Sequence, residues 1–327
     1  MKRKLLKFLK ENKGSFISGE EIASELGVSR TSIWKIINQM KEEGYKIDSA
    51  PRKGYKLMLD EDIINDQELN LELADSMYHN KIHYFEEISS TSTYAKEIAT
   101  KGCEGGTLII SELQVEGRGR LGRNWESPKG SGIWMSLVLK PDLAPTKASK
   151  ITQIAAAAVV IAVNNIYKLE AKIKWPNDIV INGKKICGIL TEMNAELNHI
   201  NYIVVGIGVN VNTENFPIDL EDKATSIFNI TSEKSNRIPL IVEILKIFEE
   251  LYVKYLEEYD FTEVLEINRK YSATIGRDVV VTRRNDVLKG FAYDLNDEGE
   301  LLIRKEDEKI ETVYYGEVSV RGINGYI

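Results

Sequence analysis

Arg118, Arg120 and Arg123, set among glycines in Gly117-Arg-Gly-Arg-Leu-Gly-Arg123 and followed at once by Asn124-Trp125, are the residues of this chain best suited to chemistry. Guanidinium groups are permanently charged planar forks that match carboxylate and phosphate oxygens, and the glycines leave the backbone free to wrap a ligand. The stretch predicts a mobile clamp for a phosphate or an acyl phosphate. An Arg/Gly tract is also what a solvated loop or a disordered nucleic-acid-binding tail looks like. Its flanks favour the clamp. Thr107-Leu-Ile-Ile-Ser111 before it and Gly132-Ile-Trp-Met-Ser-Leu-Val-Leu139 after it read as buried strands, which makes the tract a loop on a rigid scaffold.

A second group lies downstream. Lys174-Trp-Pro-Asn-Asp178 leads into a strand, Ile179-Val-Ile181; Asn182-Gly183 reads as a type I′ turn, and Lys184-Lys-Ile-Cys-Gly-Ile-Leu-Thr-Glu192 returns. The hairpin brings Asp178 beside the strand that carries Lys185 and Gly188. A lysine near a glycine lets cation and backbone approach one ligand together, and a neighbouring carboxylate suits Mg²⁺ or a proton. Taken alone, the same Lys and Asp fit a cross-strand surface pair. Trp134 and Trp175 fit a core role as well as a site role.

These groups need elements to position them, and 327 residues are long for one core, so two or three domains are expected. Hydrophobic content of 43% and charged content of 28% are those of an ordinary globular protein. No arginine-rich leader or apolar signal core begins the chain, and the longest apolar run, Ile154 to Val163, is alanine-rich and too short to span a bilayer; a cytoplasmic location without a membrane partner is expected. Cys103 and Cys187 predict no disulfide framework and read as small buried hydrophobes. His79 and His83 stand four apart but lack the glutamate of a zinc motif. Residues 1–60 carry 13 Lys/Arg against 8 Asp/Glu, a balance of +5, which leaves −12 on the rest of a chain whose net charge is −7. A basic end on an acidic body predicts that nucleic acid meets the N-terminus alone.

That end has the pattern of a helix-turn-helix. Leu5, Leu6, Phe8 and Leu9 line one side of Lys2 to Asn12; Ser18 caps a second helix that Gly27 ends; Ser29 caps a third, with Ile33, Ile36, Ile37 and Met40 as its buried stripe. Arg30, Thr31, Ser32 and Lys35 stay on the outer side near its start, where a recognition helix meets base edges. Tyr45 to Asp48 and Gly54 to Leu59 read as a hairpin with a basic tip at Arg52 and Lys53, a wing. Ser29, Arg30, Thr31, Ser32, Lys35, Arg52 and Lys53 are the candidate DNA contacts; the alternative is a protein-binding module of the same fold. Asp60 to Asn80 suits a linker and a short helix leading onward. From Lys81 to about Tyr271 strands and helices alternate, with long helices at Lys147 to Ile166 and Leu240 to Tyr259. From Thr274 short strands at 278–282, 288–292, 301–304 and 311–315 predict a small all-β barrel. The chain is therefore multidomain α+β, with boundaries at 1–65, 66–272 and 273–327.

Four motifs in order, Gly117 to Trp125, Lys174 to Asp178, Lys185 to Leu190 and Gly206-Ile-Gly-Val-Asn-Val-Asn212, resemble the signature set of biotin protein ligases. With the winged helix and the β tail, the resemblance covers essentially the whole chain and points to the bifunctional members that also repress the biotin operon. It implies a central class-II-synthetase-like ligase domain, an SH3-like C-terminal barrel, and two reactions. Biotin and MgATP give biotinyl-5′-AMP and pyrophosphate; a lysine of a biotin carboxyl-carrier domain then attacks the mixed anhydride. It further implies a homodimer, promoted by the adenylate, on palindromic operator DNA. A DNA-binding biotin sensor without ligase activity and a lipoate or octanoate ligase are the alternatives, although no Gly-Gly-Gly tract of the lipoate type is present.

The resemblance also implies roles. Biotin would be held by Ser90, Thr91, Ser92, Gln114, Gly117, Arg118, Gly119, Arg120, Trp125, Lys185 and Gly188, and the adenylate by Arg118, Arg120, Arg123, Trp125, Asn177, Lys185, Asn210, Ala224 and Arg321. Arg118, Arg120, Lys185 and Asp178 would be catalytic, with Lys185 on the carboxylate and the α-phosphate. Asp178, with Asn177, is the candidate for Mg²⁺ or for orienting the incoming lysine. Glu317 and Arg321 match a segment where the β domain meets the catalytic one. Ser92 stands where the family often has asparagine, which alters the hydrogen bonding at the biotin ureido group.

Overall fold

A computed structural model describes residues 1–58, 62–283, 286–315, 319–322 and 326. Leucines at helical spacing give α1 (Lys2–Glu11) its buried face, Leu5, Leu6 and Leu9. They share one core with Ile22 of α2 (Gly19–Leu26) and with Ile33, Ile37 and Met40 of α3 (Arg30–Glu42). The Ser18 side chain accepts from the Glu21 amide at 3.0 Å and Ser29 from the Ser32 amide at 3.1 Å, while Gly27 ends α2 at φ 65. The turn between α2 and α3 is thereby fixed locally, by caps legible in the sequence.

The wing is the antiparallel pair β1 (Ile47–Ala50) and β2 (Gly54–Leu57), shifted toward the tip relative to the strand expected at 45–48. Tyr55 exchanges both backbone bonds with Ile17 at 2.8 Å, tying the wing to the residue before α2. This close approach demands a glycine at 54. Its φ is 100, and a Cβ there would lie 1.9 Å from the Ile17 carbonyl oxygen. Gly54→Ala is expected to destabilise this unit by about 2 kcal/mol, read as a lower urea midpoint for the N-terminal transition of the full chain. A midpoint equal to wild type would refute the tie.

A short helix, α4 (Asp66–Glu72), completes a compact unit of residues Met1–Asp75. The sequence placed the boundary after residue 65. Asn65 Nδ2 donates to Tyr45 Oη at 3.0 Å, and Lys10 of α1 pairs with Glu68 and, at 3.1 Å, with Glu72, so α4 belongs with the helices before it.

The second unit, Ser76–Ile327, is built on a seven-stranded sheet. Its strands in chain order are β3 (Ile82–Ile88), β4 (Thr107–Gln114), β5 (Gly132–Leu139), β6 (Lys172–Lys174), β7 (Asp178–Ile181), β8 (Lys184–Ala195) and β9 (Ile200–Asn210). They lie side by side as β3-β4-β5-β9-β8-β7-β6, and only β3 and β4 run parallel, joined through α5 (Thr91–Thr100). Every residue of β5 is buried, as expected for a central strand covered on both faces. Ala95 and Ala99 of α5 pack on Ile109, Val138 and Val204.

The alanine-rich α6 (Ala148–Tyr167) packs on β8, on α8 (Ile238–Glu258) and on α9 (Thr262–Lys270). Between the sheet and α8 lies the short α7 (Ile227–Thr231) in chain order. By length and composition the stretch from Pro145 to Tyr167 would cross a bilayer, contrary to the shorter run read from the sequence, but 72% of its apolar window is buried in this domain. Cys187 is buried; Cys103 is only partly so.

The C-terminal strands β10 (Asp278–Arg283), β11 (Asp286–Leu295), β12 (Leu301–Arg304), β13 (Ile310–Val313) and β14 (Ser319–Gly322) form an antiparallel sheet in the order β13-β12-β11-β10-β14. β14, absent from the sequence reading, adds to the edge of β10. The sheet docks on the domain of the seven-stranded sheet through Lys147 and Glu298 at 2.8 Å and Arg269 and Asp294 at 2.9 Å.

Candidate functional site

The β7/β8 hairpin turns at Asn182 and Gly183 with φ of 50 and 79, the left-handed pair of a type I′ turn. Its register puts Asp178 directly opposite Gly188, so both face the same side. Lys185, three residues before Gly188, would face away in a regular strand. A β-bulge shifts the register between Ile179 and Val180, which pair with Cys187 and Lys185, and leaves Ile186 over. The extra residue re-aims Lys185 toward Asp178, and its Nζ lies 2.6 Å from Asp178 Oδ1. Lys174 Nζ stands 3.9 Å from Oδ2, and Tyr326 Oη donates to Oδ2 at 2.5 Å. Burial alone would push the Asp178 carboxyl up, but the charges of Lys185 and Lys174, with hydrogen bonds from Lys185 and Tyr326, hold it below its ordinary value. Burial also brings the Lys174 ammonium down to about 8, against the pull of Asp178.

The Arg/Gly loop folds back over this hairpin. Gly117 O accepts from the Trp125 amide at 2.9 Å and Gly119 N donates to Arg123 O at 2.7 Å, closing the loop on itself. Arg120 Nη1 donates to Asn177 Oδ1 at 2.5 Å, and Asn177 Nδ2 donates to Ile189 O at 2.8 Å. Arg118 and Arg123 are exposed. The Trp125 indole lies across the cross-strand glycine pair Gly188 and Gly208, with Lys185 Nζ 5.0 Å from its ring. A Cβ at Gly208 would sit 2.4 Å from Trp125 Nε1. Gly208→Ala therefore has to displace the indole, and overpacking of this kind costs about 1–3 kcal/mol. A lower melting temperature and an altered tryptophan emission should report it; both equal to wild type would mean that the indole does not rest on Gly208.

At the other end the groups are polar and uncharged. Gln114 Oε1 accepts from the Thr91 amide at 2.8 Å and from Thr91 Oγ1 at 3.0 Å. Ser136 Oγ lies 2.8 Å from Thr91 Oγ1 and 3.0 Å from Ser92 Oγ, and Gln114 Nε2 donates to Ser127 Oγ at 2.9 Å. Back beside the cations, Ala224 bridges to Lys185, and Asn210 Nδ2 donates to Thr225 O at 3.2 Å.

A cavity of about 480 Å³ joins the two ends. Of the site candidates singled out in this domain from sequence, all those described line it except Ser90, Gly117 and Trp134, whose indole is fully buried. Ser90 is turned instead to cap α5, accepting from Thr93 N at 3.4 Å, and Gly117 packs behind the wall against Trp125 O. Glu317 lies outside the described residues. The lining carries seven Lys/Arg against three Asp/Glu, a strongly cationic surface suited to several phosphates. Among the described residues no group of three metal-ligating side chains occurs. Asp178, expected as a Mg²⁺ ligand, has its oxygens toward Lys185 and Tyr326, and a cation there would face two ammonium groups.

Sequence reasoning left out Ser136, Tyr326 and Lys174 as site residues. Lys174 stood inside a quoted motif. Ser136 looked like one small residue of a buried strand, and Tyr326 carried no local signal.

In the N-terminal unit, Ser29 and Ser32 are engaged with each other at 2.9 Å in the cap of α3, and Arg30 pairs with Glu20 where both are largely exposed. Thr31, Lys35, Arg52 and Lys53 are exposed. Trp34, 55% exposed on the same helix and missed above, was detectable as an aromatic lying off the buried stripe. On the wing, Lys56 and Lys53 stand 5.3 and 5.9 Å from the Phe16 ring.

Residues 84–210 match the Biotin/lipoate A/B protein ligase family, residues 2–56 an HTH domain family, and residues 274–321 the Biotin protein ligase C terminal domain. The chain is 37% identical to the bifunctional ligase/repressor BirA of Bacillus spizizenii over 322 residues, 98% of each chain. It is 24% identical to BirA of Escherichia coli over 94% of each. The biotin protein ligase of Aquifex aeolicus, solved in complex with biotin and ATP, superposes with a TM-score of 0.66 at 27% identity, covering 74% of this chain and 99% of that one.

Proposed function

This chain belongs to the family of bifunctional biotin protein ligases and repressors, and from that premise we propose how its residues divide the work. The protein joins biotin to a protein lysine using ATP, by way of biotinyl-5′-AMP, and represses transcription through its helix-turn-helix domain. One observation carries the assignment of residues: the cavity has a neutral hydrogen-bonding end and a cationic end. Biotin has the same polarity. Its ureido group suits Thr91, Ser92 and Gln114 on the cavity wall, which Ser136 holds from behind, and a dithiolane ring offers those polar atoms no hydrogen bond, which disfavours lipoate. Its carboxylate suits Lys185.

The carboxylate oxygen attacks the α-phosphorus of ATP and pyrophosphate leaves. Lys185 stabilises the charge gathering on the α-phosphate oxygens, with Arg118, Arg120, Arg123 and Arg321 on the phosphates and the loop keeping water from the anhydride. The acceptor lysine amine then attacks the acyl carbon and AMP leaves. Asn177 holds Arg120; Asn210, Ala224 and Trp125 border the adenylate; Gly119 and Gly188 shape the wall, with Gly117 and Ser90 behind it. We assign Asp178 to aiming Lys185 rather than to the metal. A Mg²⁺ accompanying ATP would then be held mainly through phosphate oxygens and water, as is common for this ion.

The acceptor is a biotin carboxyl-carrier domain, and the adenylate promotes a homodimer on palindromic operator DNA, contacted by Ser29, Arg30, Thr31, Ser32, Lys35, Arg52 and Lys53, all in the cytoplasm. Pyrophosphate release requiring both biotin and ATP tests the ligase. Release with lipoate but not biotin would overturn the substrate, and release with neither would leave a sensor. For the repressor, biotin plus ATP should tighten binding to a palindromic DNA; unchanged affinity would remove the biotin response.

A further inference from the structure

The motif Lys174-Trp-Pro-Asn-Asp178 is gripped from the C-terminal domain at several points. Trp175 N donates to Thr274 Oγ1 at 3.0 Å, Trp175 Nε1 donates to Gly299 O at 3.1 Å, and Tyr315 Oη donates to Pro176 O at 2.5 Å. The Tyr315 ring also meets the Trp175 indole edge-on, with centroids 5.2 Å apart. These contacts hold the backbone of the motif and the buried indole. Tyr326 does something different. It reaches the two charged side chains themselves, with Oη donating to Asp178 Oδ2 at 2.5 Å and its ring face 3.5 Å from Lys174 Nζ. Asp178 Oδ1, on the other side, holds the Lys185 ammonium at 2.6 Å.

We propose that Tyr326 is a positioning residue for adenylate formation: it fixes the Asp178 carboxylate and the Lys174 ammonium so that Asp178 presents Lys185 to the reacting phosphate. The inference rests on the reading of Lys185 and Asp178 given above. The physical reason is directional. A carboxylate flanked by two ammonium groups can rotate about its last torsion and share itself between them; a hydroxyl donor on Oδ2 takes one of that oxygen's two acceptor sites and fixes the torsion, with Oδ1 toward Lys185. The ring over Lys174 replaces part of that ammonium's hydration and keeps it off Oδ2. Tyr326 thereby joins Asp178, a residue 148 positions earlier in the chain.

Tyr326→Phe in the full-length chain removes the hydroxyl and retains the ring. It is expected to lower kcat for pyrophosphate release about tenfold with KM for biotin and ATP within twofold, at an unchanged melting temperature. Tyr326→Leu, which loses both contacts, should lower kcat further. The double variant Tyr326→Phe with Asp178→Asn should be no slower than Asp178→Asn alone, because the hydroxyl acts through that carboxylate. Wild-type kcat in Tyr326→Phe, a rise in KM at unchanged kcat, or additive losses in the double variant would each overturn the proposal. Full activity of Lys185→Ala would instead overturn the reading of the site beneath it.

Discussion

Lys185→Ala is expected to slow pyrophosphate release by about a hundredfold to a thousandfold, the range found when one preorganised donor to a developing oxyanion is removed. The ammonium is held by Asp178 at 2.6 Å and stands 5.0 Å from the Trp125 ring, so it pays little reorganisation on meeting charge. On the role proposed for Lys185 the loss should fall mainly on kcat, since the charge it meets would grow as the α-phosphate is attacked. The fold should survive. Asp178 keeps Tyr326 on Oδ2 and Lys174 at 3.9 Å, so its charge is not stranded, although its carboxyl must rise toward the value that burial favours. Lys185→Arg should recover only part of the rate, because a planar fork cannot take the place of a compact ammonium above an indole and a glycine. Single-turnover pyrophosphate release measures this directly; a rate within threefold of wild type would exclude the proposed role.

The largest loss of stability is expected at a pair that takes no part in the chemistry. Arg237, at the start of α8, donates to Glu112 of β4 from Nη1 at 2.9 Å and from Nη2 at 3.0 Å, and Nη1 also donates to Gly132 O at 2.9 Å. Glu112 Oε2 accepts further from Gly130 N at 3.2 Å. The two side chains are 2% and 9% exposed. Arg237→Ala leaves a buried carboxylate without its guanidinium, and breaking such a pair from one side costs about 3–5 kcal/mol. For a chain of this size that lowers the melting temperature by roughly 10 °C, at a few degrees for each kcal/mol. Replacing both partners, Arg237→Met with Glu112→Leu, should recover most of the loss, because no charge is then stranded. Scanning calorimetry of the single and double variants separates the two effects, and a single variant melting within 2 °C of wild type would contradict the argument. The pair anchors the turn leading into β5 beside Gln114, so biotin binding should fail at the same lower temperature.

The helical turns of the N-terminal unit were legible because their signals are local. Ser18, Gly27 and Ser29 act on backbone groups within a few residues, and a leucine or isoleucine every third or fourth position defines a face by itself. The boundary of that unit was not legible, since Asn65 and Glu68 join it through Tyr45 and Lys10, side chains distant in sequence. In the ligase domain the hairpin at Asn182-Gly183 and the long helices α6 and α8 followed from turn chemistry and periodicity. The strand β14 did not, because its place at the edge of β10 is a pairing and not a propensity.

The sequence by itself determined which residues could meet a carboxylate and phosphates, and that they would sit on a glycine-rich loop and a tight hairpin. Residue type and spacing suffice for that. Tertiary structure alone decided how those residues face one another. The bulge at Ile186 turns Lys185 to the side of Asp178, the paired Gly188 and Gly208 open the floor on which Trp125 lies, and Tyr326 arrives from the far end of the chain. Each depends on register between strands or on contact between distant segments, and a strand's faces exchange with a shift of a single residue. The arginine clamp is written in seven residues; its target is set by the packing of the whole domain.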